Sequence, residues 1–102
     1  MIVSFRSSEA ERIWRGQFSR ALPQDIQRTA LRKLRILNNA NVLSDLAVPP
    51  NNHLEALKDD RAGQHGIRIN RQWRICFVWT QGGPDRVEIV DYHRPNSESD
   101  AR

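Results

Sequence analysis

Near the end of the chain, residues 88–94 read EIVDYHR, and a run suited to a buried strand stops in an acid, a phenol and an imidazole: Asp91, Tyr92 and His93. Histidine takes or gives a proton near neutral pH, and tyrosine donates a hydrogen bond or stacks on a base. Successive strand residues point to opposite sides, so these groups share one pocket edge only where a strand end or a bulge lets them converge. Otherwise Tyr92 packs on the sheet and His93 hangs at a frayed end. A second pair of chemical interest is Arg68 and Arg74, which flank the short connection Asn70-Arg71. If the flanking segments form a hairpin, alternation brings both guanidiniums to one side, where together they suit the oxygens of a phosphate. The plainer reading pairs Glu88 with one of them and leaves both solvated.

Other chemistries find less to rest on. His53, His65 and His93 fall in separate segments, with no i, i+4 pair and no cysteine at zinc spacing, so no metal site is expected. Glycine-rich phosphate loops and the G-x-S-x-G elbow are missing, and no cofactor is expected. The single cysteine, Cys76, lies between Ile75 and Phe77, where packing is the simpler role, and it has no partner for an internal disulfide.

The elements that must position these residues follow from periodicity and punctuation. Met1–Phe5 alternates like a short strand. Ser8-Glu9-Ala10-Glu11 matches a capping box that opens a first helix, with Ala10, Ile13, Trp14 and Phe18 on its apolar side. Pro23 suits the first turn of a second helix, whose stripe is Ile26, Ala30, Leu34 and Leu37, with Arg28, Arg32, Lys33 and Arg35 mostly off it. Val42–Leu46 fits a short turn, and Pro49-Pro50-Asn51-Asn52 is a firm break. Beyond it the period becomes two. His53–Leu57 is a weak strand, and Ile67, Ile69, Trp73, Ile75, Phe77 and Trp79 form one face of a hairpin. Residues 81–85 read as a turn, and Val87–His93 as the last strand. The expected fold is α+β, an N-terminal strand and a helical hairpin packed on one face of a small curled, mainly antiparallel sheet. Its other face, carrying Arg68, Arg74, Cys76, Val78, Glu88, Val90 and Tyr92, is expected to be exposed.

At 102 residues the chain fits one domain, taken as 1–94, followed by a flexible tail at 95–102 that lacks any apolar anchor. Three Trp, three Phe and 38% hydrophobic residues argue against disorder, and no apolar run is long enough to span a bilayer. MIVSFRSSEAER lacks the basic opening and apolar core of a secretory signal, and one cysteine suits a reducing cytosol. A net charge of +4 favours an acidic or nucleic-acid partner without choosing between them.

Taken in order, LKDDRAG (57–63), HGIRINRQWRICFVW (65–79) and VEIVDYH (87–93) resemble the HigB branch of the RelE-type bacterial toxins, including those also called GraT, over nearly the whole chain up to His93. The resemblance implies a cytoplasmic, ribosome-dependent mRNA endoribonuclease with a compact α+β fold. It would be made beside a helix-turn-helix antitoxin of HigA type, joined with it in a heterotetramer. Cleavage in such enzymes is metal-free: a ribose 2′-hydroxyl attacks the adjacent phosphorus and the 5′-oxygen leaves, which requires a proton acceptor, a proton donor and a cation. Carried onto this chain, the D-Y-H end falls on Asp91, Tyr92 and His93, and the hairpin arginine on Arg74. Arg74 then grips the phosphate with Arg68, Tyr92 and His93 share proton transfer and stacking, and Asp91 orients His93 or acts as a base. Where some relatives have a histidine two residues before L-K-x-D-R, this chain has Glu55, with His53 two residues earlier, so the acceptor stays open among Glu55, His53, Asp91 and His93. Lys58, Arg61 and Arg71, with Arg32, Lys33 and Arg35, would hold ribosomal RNA, or else form ordinary solvated faces. Two other readings remain. One is a ParE-like toxin that inhibits gyrase. The other is a non-catalytic RNA- or partner-binding module, which calls for aromatic residues exposed for stacking.

Overall fold

A computed structural model describes residues 1–92. His93 and the stretch read as a tail therefore lie outside the described residues. The order is α1 (Ser8–Trp14), α2 (Gln24–Asn39), β1 (Glu55–Ala56), β2 (His65–Arg68), β3 (Trp73–Thr80) and β4 (Gly83–Asp91), with 3-10 turns at Leu43–Ala47, Pro50–Asn52 and Asp59–Arg61. The four strands form one antiparallel sheet in sequential order. The N-terminal segment adds a parallel edge beside β4: Phe5 bridges Val87, and Val3 N donates to Pro84 O at 2.7 Å. This is the expected α+β architecture, with both helices on one face of the sheet.

The α2 stripe is as periodicity demands, since Ile26, Ala30, Leu34 and Leu37 are all buried. They meet Ile67, Ile75, Phe77, Val87 and Ile89 from the sheet in a single core, against which Trp73 and Trp79 pack. Lys33 departs from the expectation, because it is buried too. Its position, three residues after Ala30 and four before Leu37, lies inside the apolar arc. Its ammonium reaches Asn52 Oδ1 at 2.6 Å.

Helix α1 starts one residue before the capping-box reading: Ser7 is the N-cap, and its Oγ accepts from Ala10 N at 3.1 Å. Glu11 turns outward to Arg15 instead. The helix also ends early, at Trp14, with Gly16 at φ +80°, so Phe18 is exposed and not part of the stripe. The last strand, in turn, begins at Gly83 and not at Val87, which shortens the 81–85 turn. Between the pairs Cys76–Glu88 and Val78–Asp85 β4 holds one residue more than β3, and Arg86 takes φ +54°. This bulge keeps Val87 and Ile89 in the core while Glu88 points to the far face.

Candidate functional site

The sheet face away from the helices carries a band of four side chains drawn from the second half of the chain, between residues 53 and 92. Arg68 and Arg74 are directly opposed in register, as the hairpin reading requires. Directly opposed side chains leave an antiparallel pair on the same side, with Cβ atoms about 5 Å apart. The next member toward β4 is Tyr92, whose ring lies under the Arg74 guanidinium, with Cζ 5.5 Å from the ring centroid. The next member toward β1 is His53, whose Nε2 is 3.4 Å from Arg68 Nη1. The band thus runs His53, Arg68, Arg74, Tyr92 across the sheet.

The two arginines sit differently. Arg74 is only 5% exposed, and its Nη1 donates to the hairpin carbonyls of Asn70 at 2.6 Å and Trp73 at 3.4 Å. It therefore braces the β2–β3 connection while placing a full positive charge behind Tyr92. Arg68 is half-buried and reaches His53, and its Nε is buried without a hydrogen-bond partner among the described residues. Of the pair, Arg68 is the more exposed.

Beside the band runs a second row, Glu55, Gly66, Cys76 and Glu88, in register across all four strands. Here the expectation of an exposed face needs correcting, since Cys76 is fully buried. The segment after β1 folds over it: Leu57 packs against Gly66, and Arg61 turns back to Glu88, with Nη1 3.0 Å from Oε2. Burial pushes the Cys76 thiol up to about 11, against the opposing pull of Arg61. The thiol is inert packing, as its place mid-strand suggested. Glu88 is also 3.9 Å from Arg6, so it neutralises Arg61 and Arg6, and neither Arg68 nor Arg74.

Of the remaining site candidates, Asp91 is opposed to Trp73, and this register puts its side chain on the opposite sheet face from Arg74 and Tyr92. There it accepts from Gln72 Nε2 at 3.0 Å. Lys58 and Arg71 are exposed, as are Arg32 and Arg35 on α2, whereas Arg61 is committed to Glu88 and Lys33 is buried. His53 was one of the open acceptor candidates, lying two residues before Glu55. It follows the Pro50–Asn52 turn in the left-handed region, with φ 48° and ψ 54°, which brings the ring onto Arg68. The sequence signal for this was the Pro-Pro-Asn-Asn break itself, which ends immediately before His53.

The family model for the RelE-like toxin of the type II toxin-antitoxin system HigB matches residues 3–93. Toxin HigB-1 of Vibrio cholerae is 35% identical over 83 residues, covering 80% of this chain and 87% of that protein. An uncharacterized protein of Haemophilus influenzae is 30% identical over 81 residues, 79% of each chain.

Proposed function

Because the chain belongs to the HigB-like family of RelE-type toxins from type II toxin-antitoxin systems, we propose that it is an endoribonuclease that cuts mRNA on the ribosome. The observation that carries this reading is the registered pair Arg68 and Arg74 on one sheet face, with the Tyr92 phenol against one of them. Two fixed cations beside a proton-bearing group are what phosphodiester cleavage by the neighbouring 2′-hydroxyl needs. As that oxygen attacks, negative charge builds on the phosphoryl oxygens, and guanidiniums already in place stabilise it without reorganising. Arg68 takes the phosphate directly. Arg74 adds charge from a buried position and holds the Tyr92 ring. Tyr92, with His93 next to it in sequence, supplies the proton for the departing 5′-oxygen.

A site this sparse relies on the ribosome to align the mRNA, since orientation alone lowers such a barrier greatly. The exposed Lys58, Arg71, Arg32 and Arg35 hold ribosomal RNA, and activity should fall as salt rises. Family membership implies an antitoxin partner; we take it to be a HigA-like helix-turn-helix protein that joins the toxin in a heterotetramer in the cytoplasm. No helix among the described residues is long and apolar enough to cross a membrane.

The test is primer extension on an mRNA bound to purified ribosomes, with and without the protein. Codon-linked breaks leaving a 2′,3′-cyclic phosphate and a 5′-hydroxyl are expected, with the rate reduced about 10²–10³-fold by Arg68→Ala. Growth arrest on expression without any RNA break would point instead to a gyrase-type target. Absence of arrest would leave a binding module.

A further inference from the structure

Resting on the cleavage reading above, we propose that His53 is the proton acceptor of this site and that the buried Lys33 is the residue that positions it. Four observations combine. First, His53 holds a left-handed backbone, a conformation uncommon outside glycine that histidine adopts more readily than most residues, and it turns the ring toward Arg68. Second, the surroundings of His53 are specific. The turn ending at Asn52 is tied from two sides: Lys33 Nζ of α2 donates to Asn52 Oδ1, and Asn52 Nδ2 donates to Leu46 O at 3.1 Å. Lys33 and Asn52 are both buried, so the peptide leading into His53 has little freedom.

Third, the ring nitrogen facing Arg68 is Nε2. A guanidinium only donates, so a hydrogen bond at this contact requires Nε2 to accept and the ring proton to sit on Nδ1. That tautomer leaves the lone pair on the nitrogen that faces the band. Fourth, His53 and Tyr92 occupy opposite ends of the band, with both guanidiniums between them. Displacement at phosphorus brings the attacking oxygen in roughly opposite the leaving one, so an acceptor at one end, a donor at the other and cations in the middle match its polarity. Glu55 lies in the neighbouring row with Cys76, and Asp91 on the opposite face from Tyr92.

The step balances as follows. A phosphate oxygen takes the Arg68 guanidinium and frees Nε2. The ribose 2′-hydroxyl gives its proton to Nε2 as the 2′-O–P bond forms. The 5′-O–P bond breaks, and the 5′-oxygen takes a proton from the Tyr92 hydroxyl, leaving a 2′,3′-cyclic phosphate and a 5′-hydroxyl. Proton exchange with solvent restores both side chains. The charged groups around the imidazole are Arg68 from β2, Arg74 beyond it on β3, Glu55 two residues along on β1, and Lys33 behind Asn52 from α2.

The experiment is single-turnover cleavage of ribosome-bound mRNA from about pH 5.5 to 9, spanning the ordinary imidazole range. The wild-type rate should rise with pH and then level off. His53→Asn, which tolerates the left-handed backbone, should lower the plateau about 10²–10⁴-fold and remove the rise. Lys33→Met should lower the rate about tenfold, keep the rise, and change the His53 ring signals in NMR; Lys33→Gln serves where Lys33→Met does not fold. Wild-type cleavage with His53→Asn unchanged in rate and profile overturns the proposal and leaves the ribonuclease reading standing. Loss of the rise in Glu55→Gln and not in His53→Asn overturns it in favour of Glu55. A folded Lys33 variant with unchanged rate and unchanged ring signals overturns the positioning role. Absence of cleavage by the wild type overturns the ribonuclease reading and the proposal together.

Discussion

The Arg74 guanidinium lies between the Tyr92 ring, 5.5 Å from its centroid, and the carbonyl of Asn70, 2.6 Å from Nη1. One side chain therefore ties the last described residue of the chain to the loop between β2 and β3. The phenol's position depends on a cation that is itself fixed by main-chain acceptors.

This arrangement separates two contributions of Tyr92. Tyr92→Phe keeps the ring against Arg74 and removes only the hydroxyl. Its melting temperature should match that of the wild type, while cleavage falls about 10²–10³-fold if the phenol gives the proton. Tyr92→Leu also loses the cation–ring attraction, about 0.5–2 kcal/mol, and should melt lower as well. Single-turnover rates and thermal melts on both variants check this. A Phe variant that cuts at the wild-type rate would move proton donation away from Tyr92.

Glu88 and Arg61 close the covered part of the same face, with side chains 14% and 30% exposed. Removing the cation leaves a mostly buried carboxylate with only Arg6, at 3.9 Å, among the described residues to offset it. Arg61→Ala should therefore destabilise more than Glu88→Gln, by about 1–2 kcal/mol, or roughly 4–16 °C in a domain of this size. A double-mutant cycle by chemical denaturation should give a coupling of about 0.5–2 kcal/mol. Coupling near zero would mean that Arg61 is a solvated cation, as free to hold RNA as Lys58.

What could be read in the sequence was what local period dictates. The α2 stripe and the hairpin from Ile67 to Trp79 repeat at 3.6 and 2 residues, and both occur where expected, which also put Arg68 opposite Arg74. Punctuation misled where tertiary contacts reuse it. Pro84-Asp85 reads as turn, yet Pro84, which has no N–H to donate, lies inside β4, where its carbonyl accepts from Val3 N. Lys33 reads as surface by type but lies within the apolar arc by position. The ion pair of Arg61 with Glu88 and the contact of His53 with Arg68 span 27 and 15 residues, and no short window carries them.

Gly83 gives a test of how the N-terminal segment is held. It has φ +121°, and a Cβ there would collide with the carbonyl oxygen of Met1. Gly83→Ala meets both a backbone penalty and this main-chain clash, so it should cost about 1–3 kcal/mol and loosen residues 1–5 from β4. Hydrogen exchange should then speed up at Val3 N, which donates to Pro84 O. Unchanged protection at Val3 together with an unchanged melting temperature would show that the segment does not depend on this close approach.

Cys76 predicts how stability changes in alkali. The folded thiol titrates near 11 against an ordinary value of 9.0, because burial penalises the thiolate. Between these values the unfolded chain loses a proton that the folded chain keeps, so the thiol's contribution falls as pH rises from about 9 and levels off above 11. Two units correspond to about 2–3 kcal/mol. Lys33 acts in the opposite sense: burial, then the charge of Arg32, holds its ammonium below the usual range, and the cost of burying it eases as pH climbs toward 10.5. The difference between wild type and Cys76→Ala isolates the thiol term. Urea denaturation at pH 8, 9.5 and 10.5 should show the wild type losing ground to the variant at each step, and at pH 8 a thiol reagent should label Cys76 only after unfolding. A constant gap across that range, or rapid labelling of the folded protein, would place the sulfur in contact with solvent and reopen the sheet face that Leu57 and Arg61 cover.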